Sequence, residues 1–215
     1  MNLRGLLKYW LHRDTTHHGE FGLMQKLAGP GAPRVFVDVG ANDGFYGSNS
    51  FPFVARGWQA LLIEPHPGAF AKLQKLHGGK SNVTLLNIAC ADAAGSLPLW
   101  IGADGDEGTL ATLCTDDNDH FQRARTNQSV VVTVEKLETV LAAQSIPRDF
   151  GILSIDAEGM DYEVLLGIDL KVWRPRVIVT EDYTPKDAQK SEYLKRNRYR
   201  HSGQCAGNAL WTPAN

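Results

Sequence analysis

The segment Asp38-Val-Gly-Ala-Asn-Asp-Gly44 has the residue types of a ligand-binding turn. Gly40 and Gly44 permit a tight turn and close approach of the backbone to a ligand, and Asp38 brings a negative charge to the same place. The pattern is not the dinucleotide fingerprint. G-x-G-x-x-G needs glycine at positions 42 and 45, which hold Asn42 and Phe45. With the middle glycine missing and an acid in front, the turn suits a ligand with a cationic part better than a diphosphate. S-adenosylmethionine, with its ammonium and sulfonium, is such a ligand. Glu64 follows about 20 residues after the turn, the spacing at which an acid accepts both hydroxyls of an adenosine ribose that lacks a 2′-phosphate.

These residues need a scaffold that brings strand ends together. Arg34-Val-Phe-Val-Asp-Val39 is a short, nearly continuous apolar run closed by glycine, the signature of a central parallel strand covered on both faces. Comparable runs occur at 59–63, 83–88, 151–155 and 176–180. Helical patterns over 67–77, with Pro67 at the first turn, 136–144 and 160–166 alternate with them. The alternation predicts right-handed βαβ crossovers and a doubly wound, mostly parallel α/β sheet of Rossmann-like type. Ligands of such sheets sit beyond the carboxyl ends of the strands, where Asp38 and Glu64 stand.

Residues 1–33 read as an N-terminal helical arm, set off by Gly29-Pro-Gly-Ala-Pro33, and 34–215 as one domain. Leu3, Leu6, Leu7, Trp10 and Leu11 recur at helical spacing and predict a short amphipathic helix. Extra strands are expected at 96–101 and 129–134, flanking a polar loop at 102–128 that reads equally as a lid over a substrate cleft or as a disordered insertion.

Composition narrows the classes. At 43% hydrophobic and 21% charged residues the chain is an ordinary globular protein. A net charge of −2 supplies no basic field for nucleic acid or anionic lipid. Lys8, His12 and Arg13 interrupt the N-terminal apolar run, so no export signal is expected, and no stretch is long enough to predict a membrane span. Three scattered cysteines, Cys90, Cys114 and Cys205, suit reduced thiols and a cytoplasmic location.

The chain also resembles a known family. Val37-Asp-Val-Gly-Ala-Asn-Asp-Gly44, Ser48-Asn-Ser50, Gly57-Trp-Gln-Ala-Leu-Leu-Ile-Glu-Pro-His-Pro67 and Ser154-Ile-Asp-Ala-Glu-Gly159 are similar, in this order, to the FkbM family of S-adenosylmethionine-dependent methyltransferases. The likeness continues through Asp161-Tyr-Glu-Val-Leu-Leu-Gly167 to near Glu181. It implies the class I methyltransferase sheet, whose last strand runs antiparallel, and methylation of hydroxyls in sugars, glycolipids or other natural products. Trp211-Thr-Pro-Ala-Asn215 stops short of the full last strand this implies. By the resemblance Asp38, Gly40 and Asn42 hold the methionine end of the cofactor, joined by Gly44 and Asn49. Glu64 holds the ribose, Pro65 and His66 shape the adenine side, and Ala89 and Asp92 border the adenine. His17-His18 with Gly19-Glu20 resembles a Gly-Glu element found upstream in some relatives.

Methyl transfer to a hydroxyl gains from positioning and from a general base. Asp156 ends the fourth strand beside the expected methyl position and is the candidate base, with Glu158 as its aid; the competing reading has Asp156 capping the next helix. Glu181 closes the fifth strand and is the candidate substrate contact. No His/Cys set has structural-zinc spacing, and no required metal is predicted. The cluster Lys195-Arg-Asn-Arg-Tyr-Arg-His201 reads first as a solvated helix end; phosphate contacts with Tyr193 and Tyr199 as stacking groups are the alternative. The partner expected is a small-molecule or glycan acceptor and not nucleic acid. Two rivals remain at this point: a non-catalytic S-adenosylmethionine or nucleotide-binding module, and a nicotinamide-dependent oxidoreductase.

Overall fold

The computed structural model describes residues 14–102, 110–114, 125–182 and 186–214. The leucine-patterned segment at 1–13 and most of the expected loop at 102–128 lie outside them.

The strands are β1 (Val35–Val39), β2 (Gln59–Ile63), β3 (Val83–Leu86), β4 (Ala89–Ala91), β5 (Gly95–Gly102), β6 (Arg125–Lys136), β7 (Ile152–Ile155), β8 (Val177–Glu181), β9 (Tyr199–Cys205) and β10 (Asn208–Pro213). The helices are α1 (Glu20–Ala28), α2 (Phe51–Val54), α3 (Pro67–His77), α4 (Leu137–Ala143), α5 (Asp161–Leu166) and α6 (Asp187–Arg196). Seven strands form the main sheet in the order β3-β2-β1-β7-β8-β10-β9. All its neighbours pair in parallel except β10, which is antiparallel to both β8 and β9. This is the doubly wound class I arrangement.

Alternation along each strand divides the core in two. Val35, Val37 and Val39 of β1 pack with Leu137 and Leu141 of α4, Leu165 of α5 and Leu194 of α6. Phe36 points the other way, onto Phe21 and Met24 of α1, Phe53 of α2 and Leu73 of α3. Successive strand side chains face opposite layers, and both layers are roofed by helices, so β1 is buried at every position. Trp58 belongs to the second layer, edge-on to Phe53 at 4.8 Å.

The strand expected over 83–88 stops at Leu86, and the side-chain amide of the next residue, Asn87, donates to the carbonyls of Glu64 and Pro65 beyond the end of β2. The chain then crosses into a three-stranded sheet, β4-β6-β5, where the expected extra strands meet antiparallel. The last strand is fuller than the sequence suggested: β10 begins at Asn208 and pairs with β8 from Asn208↔Glu181 to Trp211↔Ile178. Apolar alternation there is short and follows the polar strand β9, which hides the hairpin. The basic cluster straddles two elements, the end of α6 and the start of β9. Tyr199 is not a stacking group, since it is buried with its hydroxyl on the Pro175 carbonyl and the Arg174 guanidinium over its ring. Among the described residues no helix is long and apolar enough to cross a membrane.

Candidate functional site

The chain turns sharply as it leaves β1. Gly40 takes φ +87°, and a side chain there would run into the Asp156 carbonyl oxygen at the end of β7. Glycine is required on both counts. The amides of Gly40 and Ala41 donate to the Ile63 carbonyl at 3.0 Å, folding the turn over the end of β2. Asn42, at φ 49°, then gives its N–H to Oε2 of Glu64 at 2.8 Å, and His66 gives its N–H to Oε1 at 2.7 Å. Each Glu64 oxygen keeps a further lone pair, two in all, the number a ribose diol needs.

Burial dominates the protonation of these acids. Glu64 is pushed up to about 7 by burial, which outweighs the two N–H donors, with the Asp38 charge adding to the rise. Asp38 is pushed up to about 6 by burial, opposed by hydrogen bonds to Ser50 and Ser154. Asn49 donates to the Ser154 hydroxyl at 3.2 Å and so ties the segment before α2 to β7.

Two more acids stand at the next strand ends. Asp156 is a half-buried residue whose Oδ1 is fully enclosed and meets no hydrogen-bond donor among the described residues. Burial lifts its carboxyl well above the ordinary range, and the negative charges of Glu181, Asp161, Asp38 and Glu64 add to the effect in that order. Glu181 is pushed up to about 7 by burial and Asp161, with Lys190 opposing. The strongest charge acting on Asp156 is thus Glu181, one strand over, and not its chain neighbour Glu158. Glu158 sits in left-handed backbone at φ 47°, and its carbonyl accepts the Thr112 hydroxyl at 2.6 Å.

One cleft of about 210 Å³ gathers most of these groups. Asp38, Gly40, Asn42, Asn49, Glu64, Pro65 and Ala89 line it, as do Asp156, Glu158 and Glu181. Three expected cofactor residues do not. Gly44 lies behind the turn, where a side chain would strike Leu73 and His77, and its carbonyl meets the His77 ring at 3.1 Å. The His66 imidazole accepts the Ala69 N–H and caps α3. Asp92 is exposed beyond β4.

The cleft also holds residues that sequence reasoning set aside. His17 and His18 line it, with the His17 ring edge-on to Tyr46 at 5.3 Å. A bridge between Thr16 and Gly47 brings this segment against the glycine turn. Glu20 fixes it from below by accepting the His18 N–H at 2.9 Å and the Asn208 amide at 2.8 Å. The Gly19-Glu20 motif was the available signal, but only the fold places it beside β10. Among the described residues no group of three or more His, Cys, Asp or Glu side chains is arranged to hold a metal ion.

The chemistry of the lining fits a cationic cofactor. Five carboxyl groups, Asp38, Glu64, Asp156, Glu158 and Glu181, face the cleft, and no lysine or arginine is among the described residues that line it. A pyrophosphate would find no countercharge there. An ammonium and a sulfonium would.

Comparison with known proteins agrees with that fit. The Methyltransferase FkbM domain family matches residues 38–201, and the chain belongs to that family. Among solved structures it is similar to the methyltransferase FkbM from Methylobacillus flagellatus KT. The TM-score is 0.51 at 16% identity, over 82% of this chain and 42% of that one. It is also similar to a precorrin-6y C5,15-methyltransferase from Geobacter metallireducens GS-15, with TM-score 0.50 at 13% identity over 90% and 87% of the two chains. At these identities the likeness is one of fold, and this chain spans less than half the length of the Methylobacillus structure. Comparison with curated proteins gives no match. The chain thus carries an FkbM methyltransferase domain, and the oxidoreductase reading is set aside.

Proposed function

We propose that this FkbM-family methyltransferase methylates a hydroxyl oxygen of a small-molecule or glycan acceptor, a sugar, glycolipid or related natural product, with Asp156 as the general base. The observation that carries the proposal is the enclosed, unpartnered Oδ1 of Asp156 at the end of β7, in the acidic cleft. A buried carboxylate oxygen without a donor is costly, and an acceptor O–H is a group that would satisfy it.

S-adenosylmethionine supplies, when bound, a methyl group made electrophilic by a sulfonium. Glu64 would bind the ribose hydroxyls through its remaining lone pairs. Asp38, with the turn at Gly40 and Asn42, would face the methionine ammonium. Ala89 and Pro65 would border the adenine. Asp156 takes the acceptor proton, and Glu181, whose charge acts most strongly on it, shares the titration of that pair. Burial and the neighbouring charges raise the proton affinity of Asp156, which suits it to accept a proton, and Glu181, pushed up to about 7, stands near neutral pH. Glu158 contributes through the loop it shapes, and Glu181 also faces the acceptor side of the cleft.

The test is S-adenosylhomocysteine formation with pooled glycan and natural-product acceptors, comparing wild type with Asp156→Ala. Cofactor affinity should stay within roughly tenfold while turnover falls by about 10²-fold or more. Equal turnover in both proteins removes Asp156 from the mechanism.

A further inference from the structure

The acids Asp156 and Glu181 lie just past the end of the ladder that joins β7 to β8. The β7–β8 ladder ends at Ile155↔Thr180. Beyond it, one side chain takes over from the ladder. Asp161, the first residue of α5, accepts the Ala157 N–H on Oδ1 at 2.9 Å and the Glu181 N–H on Oδ2 at 2.9 Å. Ala157 N belongs to the peptide that follows Asp156, so one carboxylate joins the backbones of both acids. Asp161 is buried and is absent from the cleft lining, so it acts on the acids without touching a ligand.

The carboxylate has a cation behind it. Lys190 of α6 is 1% exposed, and its ammonium donates to the Glu181 carbonyl and lies 2.9 Å from Asp187 Oδ1. Asp161 Oδ2 and Asp182 Oδ1 are each 3.8 Å from it. Glu181 is therefore held on both sides of its backbone, by Asp161 at the N–H and by Lys190 at the carbonyl. A lysine this buried needs its carboxylate partners, and they need it.

From this geometry we infer that Asp161, counter-charged by Lys190, is the positioning residue of the active site, setting the separation of Asp156 and Glu181 and the field in which they titrate. The inference rests on the reading that these two acids serve the acceptor. Asp156 faces the charges of Glu181, Asp161, Asp38 and Glu64; Glu181 faces Asp161, Lys190, Asp187 and Asp182. Removing the Asp161 charge favours ionisation of both acids. Removing the Lys190 charge disfavours it at Glu181. Substitutions that merely weakened the fold would not move Glu181 in opposite directions, down without Asp161 and up without Lys190.

The experiment is a carboxyl ¹³C NMR titration of the full chain, with Asp156→Asn and Glu181→Gln used to assign the two resonances. In Asp161→Asn both midpoints should fall by about one pH unit. In Lys190→Met the Glu181 midpoint should rise. Amide exchange at Ala157 and Glu181 should quicken at least tenfold in Asp161→Ala. Unmoved midpoints in a folded Asp161→Asn, or shifts of one sign in both variants, overturn the inference. Should Asp161→Asn not fold, Lys190→Met decides alone: a rise at Glu181 supports the inference and an unmoved midpoint refutes it. Failure of the underlying reading is distinguishable, because Asp156→Asn would then turn over like wild type while the midpoint shifts still occurred.

Discussion

The N–H of Asn42 donates to Oε2 of Glu64 at 2.8 Å, so the glycine turn after β1 and the acid after β2 form one interlocked unit. Glu64→Gln is the sharpest perturbation of it. Both Glu64 oxygens accept N–H groups, from Asn42 and His66, and glutamine can offer an oxygen to only one of them. The other N–H would then face an NH₂. Cofactor affinity measured by calorimetry should fall by roughly ten- to a hundredfold, the equivalent of about 1.4–3 kcal/mol. Unchanged affinity would show that the ribose does not use this acid.

The cofactor-free protein should lose stability as pH rises. Asp38 titrates at about 6, and Glu64 and Glu181 at about 7, each above its ordinary value chiefly because of burial. A folded state that binds these protons more tightly than the unfolded chain is favoured at low pH. That contribution is full below about pH 4 and is lost progressively as pH rises to about 7. Thermal unfolding should therefore give a higher midpoint at pH 5.5 than at pH 8, and Glu64→Gln should reduce the difference. A cation bound among these acids lowers their proton affinity, so calorimetry at pH 6 should detect proton release on binding S-adenosylmethionine. Proton uptake at that pH would contradict the acidic-rim account.

Two glycines with nearly the same φ should respond very differently to alanine. Gly19, at φ +85°, has nothing within 4 Å of an added methyl group, whereas Gly40, at φ +87°, would meet the Asp156 carbonyl. Gly19→Ala should cost roughly 1 kcal/mol of stability in urea unfolding, the price of left-handed backbone alone. Gly40→Ala adds a backbone clash at the cofactor turn and should cost several-fold more, with loss of cofactor binding. Equal costs would mean that the approach of the turn to β7 is not tight.

Much of this site was legible because strand ends are punctuated in sequence. Gly40 ends β1, Glu64-Pro65 follows β2, and Asp156 follows β7, so the apolar runs themselves located the rim acids. The His17–His18 segment was not legible: exposed polar residues look like a surface arm until the Thr16–Gly47 bridge and the Glu20–Asn208 contact bring them to the cleft. Asn208 itself lies 188 residues from Glu20, a separation over which no local pattern speaks. Glu181, marked for substrate, gains its influence over Asp156 through adjacency of β7 and β8, whereas sequence proximity pointed to Glu158.

Thr112 joins the segment 110–114 to the acid loop. Its buried hydroxyl donates to the Glu158 carbonyl at 2.6 Å and accepts the Cys114 N–H at 2.9 Å, while its backbone pairs with Trp100. Thr112→Val keeps the shape and leaves two polar groups without this partner. A cost of about 1–3 kcal/mol and faster exchange of the Cys114 amide are expected. A neutral substitution would show that the hydroxyl does not hold the loop.

The central claim, that acids at adjacent ends of β1, β2 and β7 receive the cofactor, is tested most directly by a crystal structure of the chain with S-adenosylhomocysteine. The expected result has the ribose hydroxyls on the Glu64 carboxylate, the amino group at the Asp38 and Gly40 turn, and the sulfur facing Asp156. Density for the ligand outside this cleft, or a ribose that leaves Glu64 untouched, would contradict the account.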